Sequence, residues 1–304
     1  MKRIAPFYVI FAASLWAVDG IVLRPSLYNL PVTLVVFIAT TLIALLLTPF
    51  MAKNFHQLKI LEWKDWLVFF AVALLGEAIG TMAITKAFFY VNHVNLSIVV
   101  LIQKLQPLFA ISLAAVFLKE KLPTQFFYWG GLAIAGAYFM TFGINLPNLN
   151  AGDETTQAAL FSLLAAISFS SSTVLSKRAL KNVTFEMGTY LRFAFSAVIM
   201  SVIVISFRTI NSISDISTDQ IIIFLLIAFI TGGPAIFLYY FGLKKISASV
   251  ASICELAFPL TAIILEYVLR HHILDAIQWI GAFVLFFGIL RVTNIRVIKP
   301  KPAG

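Results

Sequence analysis

Residues 97–113, SIVVLIQKLQPLFAISL, align without a gap onto residues 249–265, SVASICELAFPLTAIIL, at an offset of 152. Ser97 pairs with Ser249 and Pro107 with Pro259, while Leu108, Ala110, Ile111 and Leu113 pair with Leu260, Ala262, Ile263 and Leu265. At the same offset Gly80 meets Gly232 and Phe89 meets Phe241; after a two-residue slip Trp129 and Gly131 meet Trp279 and Gly281. One unit is therefore written twice. Its content follows from apolar runs of about 20 residues, the length that crosses a bilayer core. Ten are predicted, roughly at 5–23, 31–51, 65–86, 95–117, 124–142, 156–176, 184–206, 219–241, 249–269 and 274–292. Five spans per half is an odd number, so the second copy must insert upside down. Inverted repeats are a signature of alternating-access transporters.

Composition agrees with a membrane solvent: 61% of residues are hydrophobic and 12% charged, and the mean hydropathy is +0.98, far outside the range of soluble domains. The loops are too short to hold a soluble active site. The first run follows Met1-Lys2-Arg3 and looks like a signal sequence, but it belongs to the repeated pattern and is kept as a span. The single cysteine, Cys254, excludes an internal disulfide or a cysteine-based metal cluster. The net charge of +9 is topological and does not imply a nucleic-acid partner. With the N-terminus inside, cytoplasmic segments hold sixteen Lys and Arg residues, from Lys2 and Arg3 to Lys299 and Lys301, whereas external segments hold Arg24, Arg208 and Arg270. This positive-inside bias places both termini in the cytoplasm. The longest external loop, Asn145–Gln157, divides the chain into 1–147, a linker at 148–157, and 158–304 with a short basic tail.

Particular motifs sharpen the class. They are Ala13–Trp16 in the first span, Gln106-Pro107-Leu108 in the fourth, Leu118–Leu122 (LKEKL) after it, and Trp129–Gly131 in the fifth. Their echoes are Phe258-Pro259-Leu260 and Trp279-Ile280-Gly281, while Arg270-His271-His272 replaces the acidic-basic turn. With these motifs the sequence resembles the drug/metabolite transporter superfamily, and within it the EamA-type members, over nearly its whole length. The resemblance implies an all-α polytopic protein of ten transmembrane helices, with a central cavity lined by spans one, three, four, six, eight and nine. It also implies a bacterial inner-membrane location; it leaves the oligomeric state open and is compatible with a monomer. None of the motifs is catalytic, and a scaffold of this kind hosts many substrates.

Ionisable and polar groups inside a bilayer are costly and mark candidate sites. Gln103 and Glu255 occupy equivalent positions, each four residues before a proline (Pro107, Pro259) that removes a helical donor and frees a carbonyl. Lys104 and Glu77 are central in their spans, and their repeat mates are Leu256 and Phe229, so the scaffold does not demand charge there. The alternative for this pair is a buried Glu77–Lys104 bridge that fixes packing. Asp19 lies three residues after Trp16 on one helix face, suited to a cation or amino group. Phe169 is the second-half counterpart of Trp16 and begins the run Ser170-Ser171-Ser172-Thr173, whose hydroxyls more often bond their own backbone. Of Tyr239 and Tyr240, one lines the cavity or both anchor an interface, Gly232-Gly233-Pro234 marks a hinge, and Arg192 is read as structural, reaching the interface.

The reading is a secondary transporter working by rocking of one repeat against the other. Mixed charges on Asp19, Glu77, Glu255 and Lys104 suit an amino acid or similar zwitterion; a nucleoside-containing or cationic metabolite, stacked between Trp16 and Phe169, is the alternative. Glu77 and Glu255 are the candidates for proton coupling. No cofactor is expected, no metal-ligand spacing is present, and phosphate loops and nucleophile elbows are absent. An intramembrane enzyme using Glu77, Lys104 and Glu255 is the remaining alternative class.

Overall fold

A computed structural model describes residues 4–89, 99, 102–144, 153–270 and 275–295, excluding the side chains of residues 88, 89, 153–155, 266 and 270. Every secondary-structure element among these residues is helical. Lipid offers the backbone no hydrogen bonds, so a spanning segment must satisfy its own, and a helix does this within one segment. The elements are α1 (Ala5–Val18), α2 (Val32–Met51), α3 (Trp63–Ala73), α4 (Thr81–Phe89), α5 (Gln106–Phe117), α6 (Thr124–Phe142), α7 (Asp153–Ala179), α8 (Phe185–Ser206), α9 (Thr218–Leu226), α10 (Gly233–Lys245), α11 (Ala248–Cys254), α12 (Ala257–Arg270) and α13 (Ala276–Thr293). Eight helical stretches among the described residues are long and apolar enough to cross a membrane. Two more predicted runs fall on shorter or less apolar helices, α5 and α6. The fourth predicted run, 95–117, begins outside the described residues.

Three of these stretches contain a π-helical segment: Asp19–Leu23 after α1, Leu74–Gly80 between α3 and α4, and Ile227–Gly232 between α9 and α10. The last two stand at nearly the repeat offset and end on the paired glycines Gly80 and Gly232. A π segment is a local widening of the helix that tends to sit at functional positions. Around Gly232-Gly233-Pro234 the helix continues through the π segment, and Pro234 occupies the first turn of α10, where its missing N–H costs little. Two further stretches are interrupted outright, by a turn at Lys104-Leu105 before α5 and at Glu255-Leu256 between α11 and α12. Pro107 and Pro259 follow these turns at the start of the next helix. The Glu255 carbonyl that Pro259 was expected to free accepts from the Phe258 N–H at 2.9 Å, because the chain tightens locally there.

The helix packing has an internal correspondence. α2 packs on α8, α6 on α13 and α5 on α11; α1 packs on α10 and α12, while α7 packs on α3, α4 and α5. Exchanging the two halves maps α2–α8 and α6–α13 onto themselves, α1–α10 onto α7–α4 and α1–α12 onto α7–α5. The α6–α13 seam is tightest: a Cβ on Gly281 would meet the Met140 nitrogen at 2.3 Å, and one on Gly136 the Leu285 nitrogen at 2.5 Å. Only glycine permits that approach. The largest buried cluster draws Val9, Phe126, Tyr239, Tyr240, Ile253 and Cys254 from both halves. Outward-facing side chains such as Phe50, Val116, Phe117 and Phe207 are more than 60% exposed, a surface matched to lipid and not to water.

Candidate functional site

Glu255 occupies the turn that ends α11, and its carboxylate gathers side chains from other helices. Oε1 accepts from the Tyr239 hydroxyl at 2.6 Å and from Thr173 Oγ1 at 3.4 Å, and Oε2 accepts from Gln106 Nε2 at 2.9 Å. The Thr173 and Tyr239 hydroxyls lie 3.0 Å apart; with the Tyr239 proton directed to Glu255, the single Thr173 proton serves either Tyr239 or Glu255. Tyr239 lies against Trp16, with ring centroids 5.2 Å apart and planes at 51°. The network joins α1, α5, α7, α10 and the α11 turn around one carboxylate. A carboxylate away from water must be hydrogen-bonded to persist, and charge-assisted bonds of this kind are the strong ones. About four acceptor positions exist on a carboxylate, so these three bonds leave capacity for another donor.

A second network stands beside it. Arg192 is 7% exposed on α8. Its Nε and Nη2 both donate to Glu77 Oε1, at 2.9 and 2.7 Å, and Nη1 donates to the Tyr240 hydroxyl at 3.3 Å. Tyr240 is held in turn by Ser176 at 2.8 Å. Gly76 opens the room for this approach: a Cβ there would sit 2.5 Å from Ser172 Oγ and 2.8 Å from Arg192 Nη2. The alternative Glu77–Lys104 bridge is not formed, because the packing of α8 brings Arg192 to the π segment instead. Arg192 is likewise not at the interface, since it lies inside the bundle. Lys104 makes no hydrogen bond or ion pair among the described residues.

The other predicted site residues fall at separate places. Asp19 Oδ2 accepts from Arg24 Nε at 2.5 Å, so its carboxylate holds an arginine that was expected in an external segment. Gln103 donates to the Ser162 carbonyl at 2.9 Å, and it is Gln106, one turn on, that reaches Glu255. Phe169 lies against Gly80, at 2.8 Å from the position of a Cβ there, while the ring that meets Trp16, at a tilt of 51°, is that of Tyr239. The serine run does more than bond its own helix: Ser170 bonds the carbonyls of Ala166 and Gln106, Ser172 that of Val72, and Thr173 the Glu255 site. Sequence reasoning missed Gln106 and Arg192 as network members, and it offered Thr173 and Tyr240 only as one hydroxyl of a run and one tyrosine of a pair. The adjacent tyrosines carried a usable signal, since neighbours on a helix serve two different faces: Tyr239 goes to Glu255 and Tyr240 to Arg192. His271 and His272 lie outside the described residues, and among the described residues no cluster of metal-binding side chains occurs.

Both ends of the assembly carry cross-half contacts. At one end Glu120 accepts from the Ala248 and Ser249 N–H groups at 2.8 and 3.1 Å and from the Ser249 hydroxyl at 2.6 Å, capping α11. Lys177 there donates to the carbonyls of Leu243 and Lys244, and Lys244 donates to that of Val183. At the other end Gln220 donates to the Ser26 carbonyl at 3.2 Å and to Asn29 Oδ1 at 2.6 Å. Beside this clasp lies an open cavity of about 620 Å³, bordered by Pro25, Ser26, Asn29, Asp219 and Gln220.

Known proteins resemble this one over most of its length. The EamA-like transporter family matches it twice, at residues 3–142 and 156–294. A riboflavin transporter, ImpX, of Fusobacterium nucleatum subsp. nucleatum is 41% identical over 288 residues, covering 94% of this chain and 96% of the relative. An uncharacterized transporter of Synechocystis sp. is 24% identical, covering 82% and 72% of the two chains. A protein of known crystal structure superposes with a TM-score of 0.74 over 96% of this chain and 98% of its own, at 16% identity, a likeness of fold alone.

Proposed function

We infer the function from one premise: the chain belongs to the EamA-like transporter family, and it is a membrane transporter. We propose that its solute is riboflavin or a close flavin, taken at the Trp16–Tyr239–Glu255 site. The observation that carries this is the Trp16–Tyr239 ring pair beside a carboxylate with spare acceptor capacity. A flavin ring is planar, stacks on aromatics, and presents one imide N–H with flanking carbonyls. Trp16 and Tyr239 supply the stacking surface, Glu255 accepts the imide N–H, and Gln106 and Thr173 orient the carboxylate. The 41% identity to a riboflavin transporter supports the same solute. The zwitterion reading loses two of its three acids as free charges, since Glu77 is paired with Arg192 and Asp19, through one oxygen, with Arg24.

The architecture proposed for this activity is ten spans in two inverted five-helix repeats, 1–147 and 158–304 about a 148–157 linker, with both termini in the cytoplasm of a bacterial inner membrane. The exchangeable helix pairings, the matched π segments and the twofold family match support it. Rocking of the repeats about the Glu255 site gives alternating access. Proton coupling falls to Glu255 in preference to Glu77: neutralising Glu77 would leave Arg192 as an unpaired buried cation, whereas Glu255 is held only by neutral donors.

Riboflavin uptake into proteoliposomes tests the reading. The wild-type protein fills vesicles with the fluorescent solute, and Trp16→Ala raises the half-saturating concentration about tenfold. Empty-vesicle rates for the wild type, with no competition by riboflavin for any other carried solute, would overturn it.

A further inference from the structure

Among the described residues five buried side-chain oxygens have no hydrogen-bond partner: those of Thr41, Ser162 and Ser196 stand apart, whereas Asp19 Oδ1 and Thr231 Oγ1 lie on one seam. Asp19 is 6% exposed and Thr231 fully buried. They belong to the first and third π segments, Asp19–Leu23 and Ile227–Gly232, which pack against each other. The register of that contact is fixed by several pairs. Leu23 and Leu27 share a cluster with Phe224 and Ile227, Tyr8 and Phe241 rings stand 4.6 Å apart, and Val9 lies against Gly242. Antiparallel helices in this register bring Asp19 level with Thr231. Asp19 is one turn before Leu23 and Thr231 one turn after Ile227, so each faces the side on which those two residues meet. Arg24 occupies only the other oxygen, Oδ2.

Leaving such atoms unpaired is costly, and proteins rarely tolerate it without a use. A carboxylate oxygen that only accepts, beside a hydroxyl that donates and accepts, matches one chemistry well: a polyhydroxylated chain. The site also has a neighbour. Trp16 lies one turn back from Asp19 on the same face, about 4.5 Å along the axis at 1.5 Å per residue, within reach of a five-carbon sugar-alcohol chain attached to a stacked ring. A metal cation fits less well, because Arg24 already neutralises Asp19.

We propose that Asp19 and Thr231 form a second subsite, which binds the ribityl hydroxyls of a flavin whose ring lies at Trp16 and Tyr239. The subsite rests on the flavin reading above and decides between flavins that the ring site treats alike. Lumiflavin, which has the same ring with a methyl group in place of the ribityl chain, is the probe. The readout is the half-saturating concentration for lumiflavin divided by that for riboflavin, measured in proteoliposomes. Wild type gives a ratio well above one. Thr231→Val, nearly the same shape, lowers the ratio about fivefold. In Asp19→Asn the amide oxygen must face Arg24, which puts a donor where the free acceptor stood and lowers the ratio by a similar factor. Variants that merely loosen the fold shift both concentrations together and leave the ratio unmoved, and that result in both would overturn the subsite while the flavin reading stands. A wild type that carries neither flavin brings down both.

Discussion

Arg192 donates from Nε and Nη2 to a single oxygen of Glu77, at 2.9 and 2.7 Å, tying the second half of the chain to a π segment of the first. Breaking a buried pair from one side leaves an uncompensated charge and costs about 3–5 kcal/mol, whereas replacing both partners by apolar groups is often neutral. Glu77→Leu and Arg192→Leu each therefore lower the unfolding midpoint in detergent sharply, and the double variant recovers most of the loss. Equal, additive losses in the double variant would show that the two side chains do not act as a pair.

The eight membrane-length apolar stretches among the described residues were legible in the sequence because the bilayer imposes a length and an apolarity that few alternatives satisfy. The repeat was legible too, and its proline pair marked the places where two helices break, before α5 and before α12. What hydropathy does not contain is azimuth: it gives the depth of Glu77 and Arg192 but not which way they point. Their pairing depends on α8 packing against α3 and its π segment, a choice made by Gly76 and the helix neighbours. Gln103 and Gln106 show the same limit. The repeat alignment singled out the first, yet a turn at Lys104-Leu105 rotates the second toward Glu255.

Glu255 is the only acid in its network, with Tyr239, Thr173 and Gln106 as neutral partners. If it carries the coupled proton, Glu255→Gln keeps the shape of the site but removes the exchangeable charge. Uptake driven by an imposed pH gradient then falls to the rate seen without one, while counterflow exchange of solute, which needs no net proton movement, continues. Tyr239→Phe removes the 2.6 Å bond and lowers uptake less, by roughly tenfold at most. A Glu255→Gln protein that still responds to the gradient would rule this carboxylate out as the proton carrier.

Lys104 stands half-buried within a predicted span, with no partner among the described residues, while its repeat mate Leu256 is 5% exposed among apolar neighbours. A lysine at the centre of a membrane helix costs about 2.5–3.5 kcal/mol on insertion scales. Lys104→Leu should thus raise the unfolding midpoint in detergent and, if the ammonium meets the solute's carbonyl groups, slow riboflavin uptake at least several-fold. A variant that gains stability and transports at the full rate would remove Lys104 from the site; one that loses stability would mean that the charge supports the fold.

Glu120 closes one end by capping α11 across the halves, and the geometry depends on Lys119, whose φ of 53° turns the chain at the end of α5. A left-handed residue after a helix is the usual way to reverse direction there. The cap sits one short helix away from Cys254, the sole cysteine, which is fully buried and serves as a built-in reporter. Losing a helix cap costs about 0.5–2 kcal/mol, so Glu120→Ala should raise the rate of maleimide labelling of Cys254 between roughly twofold and thirtyfold. Ser249→Ala, which removes only the 2.6 Å hydroxyl donor, should give a smaller rise in the same direction. If both variants label at the wild-type rate, Glu120 does not hold this end shut, and the motif around it has only a local role in ending α5.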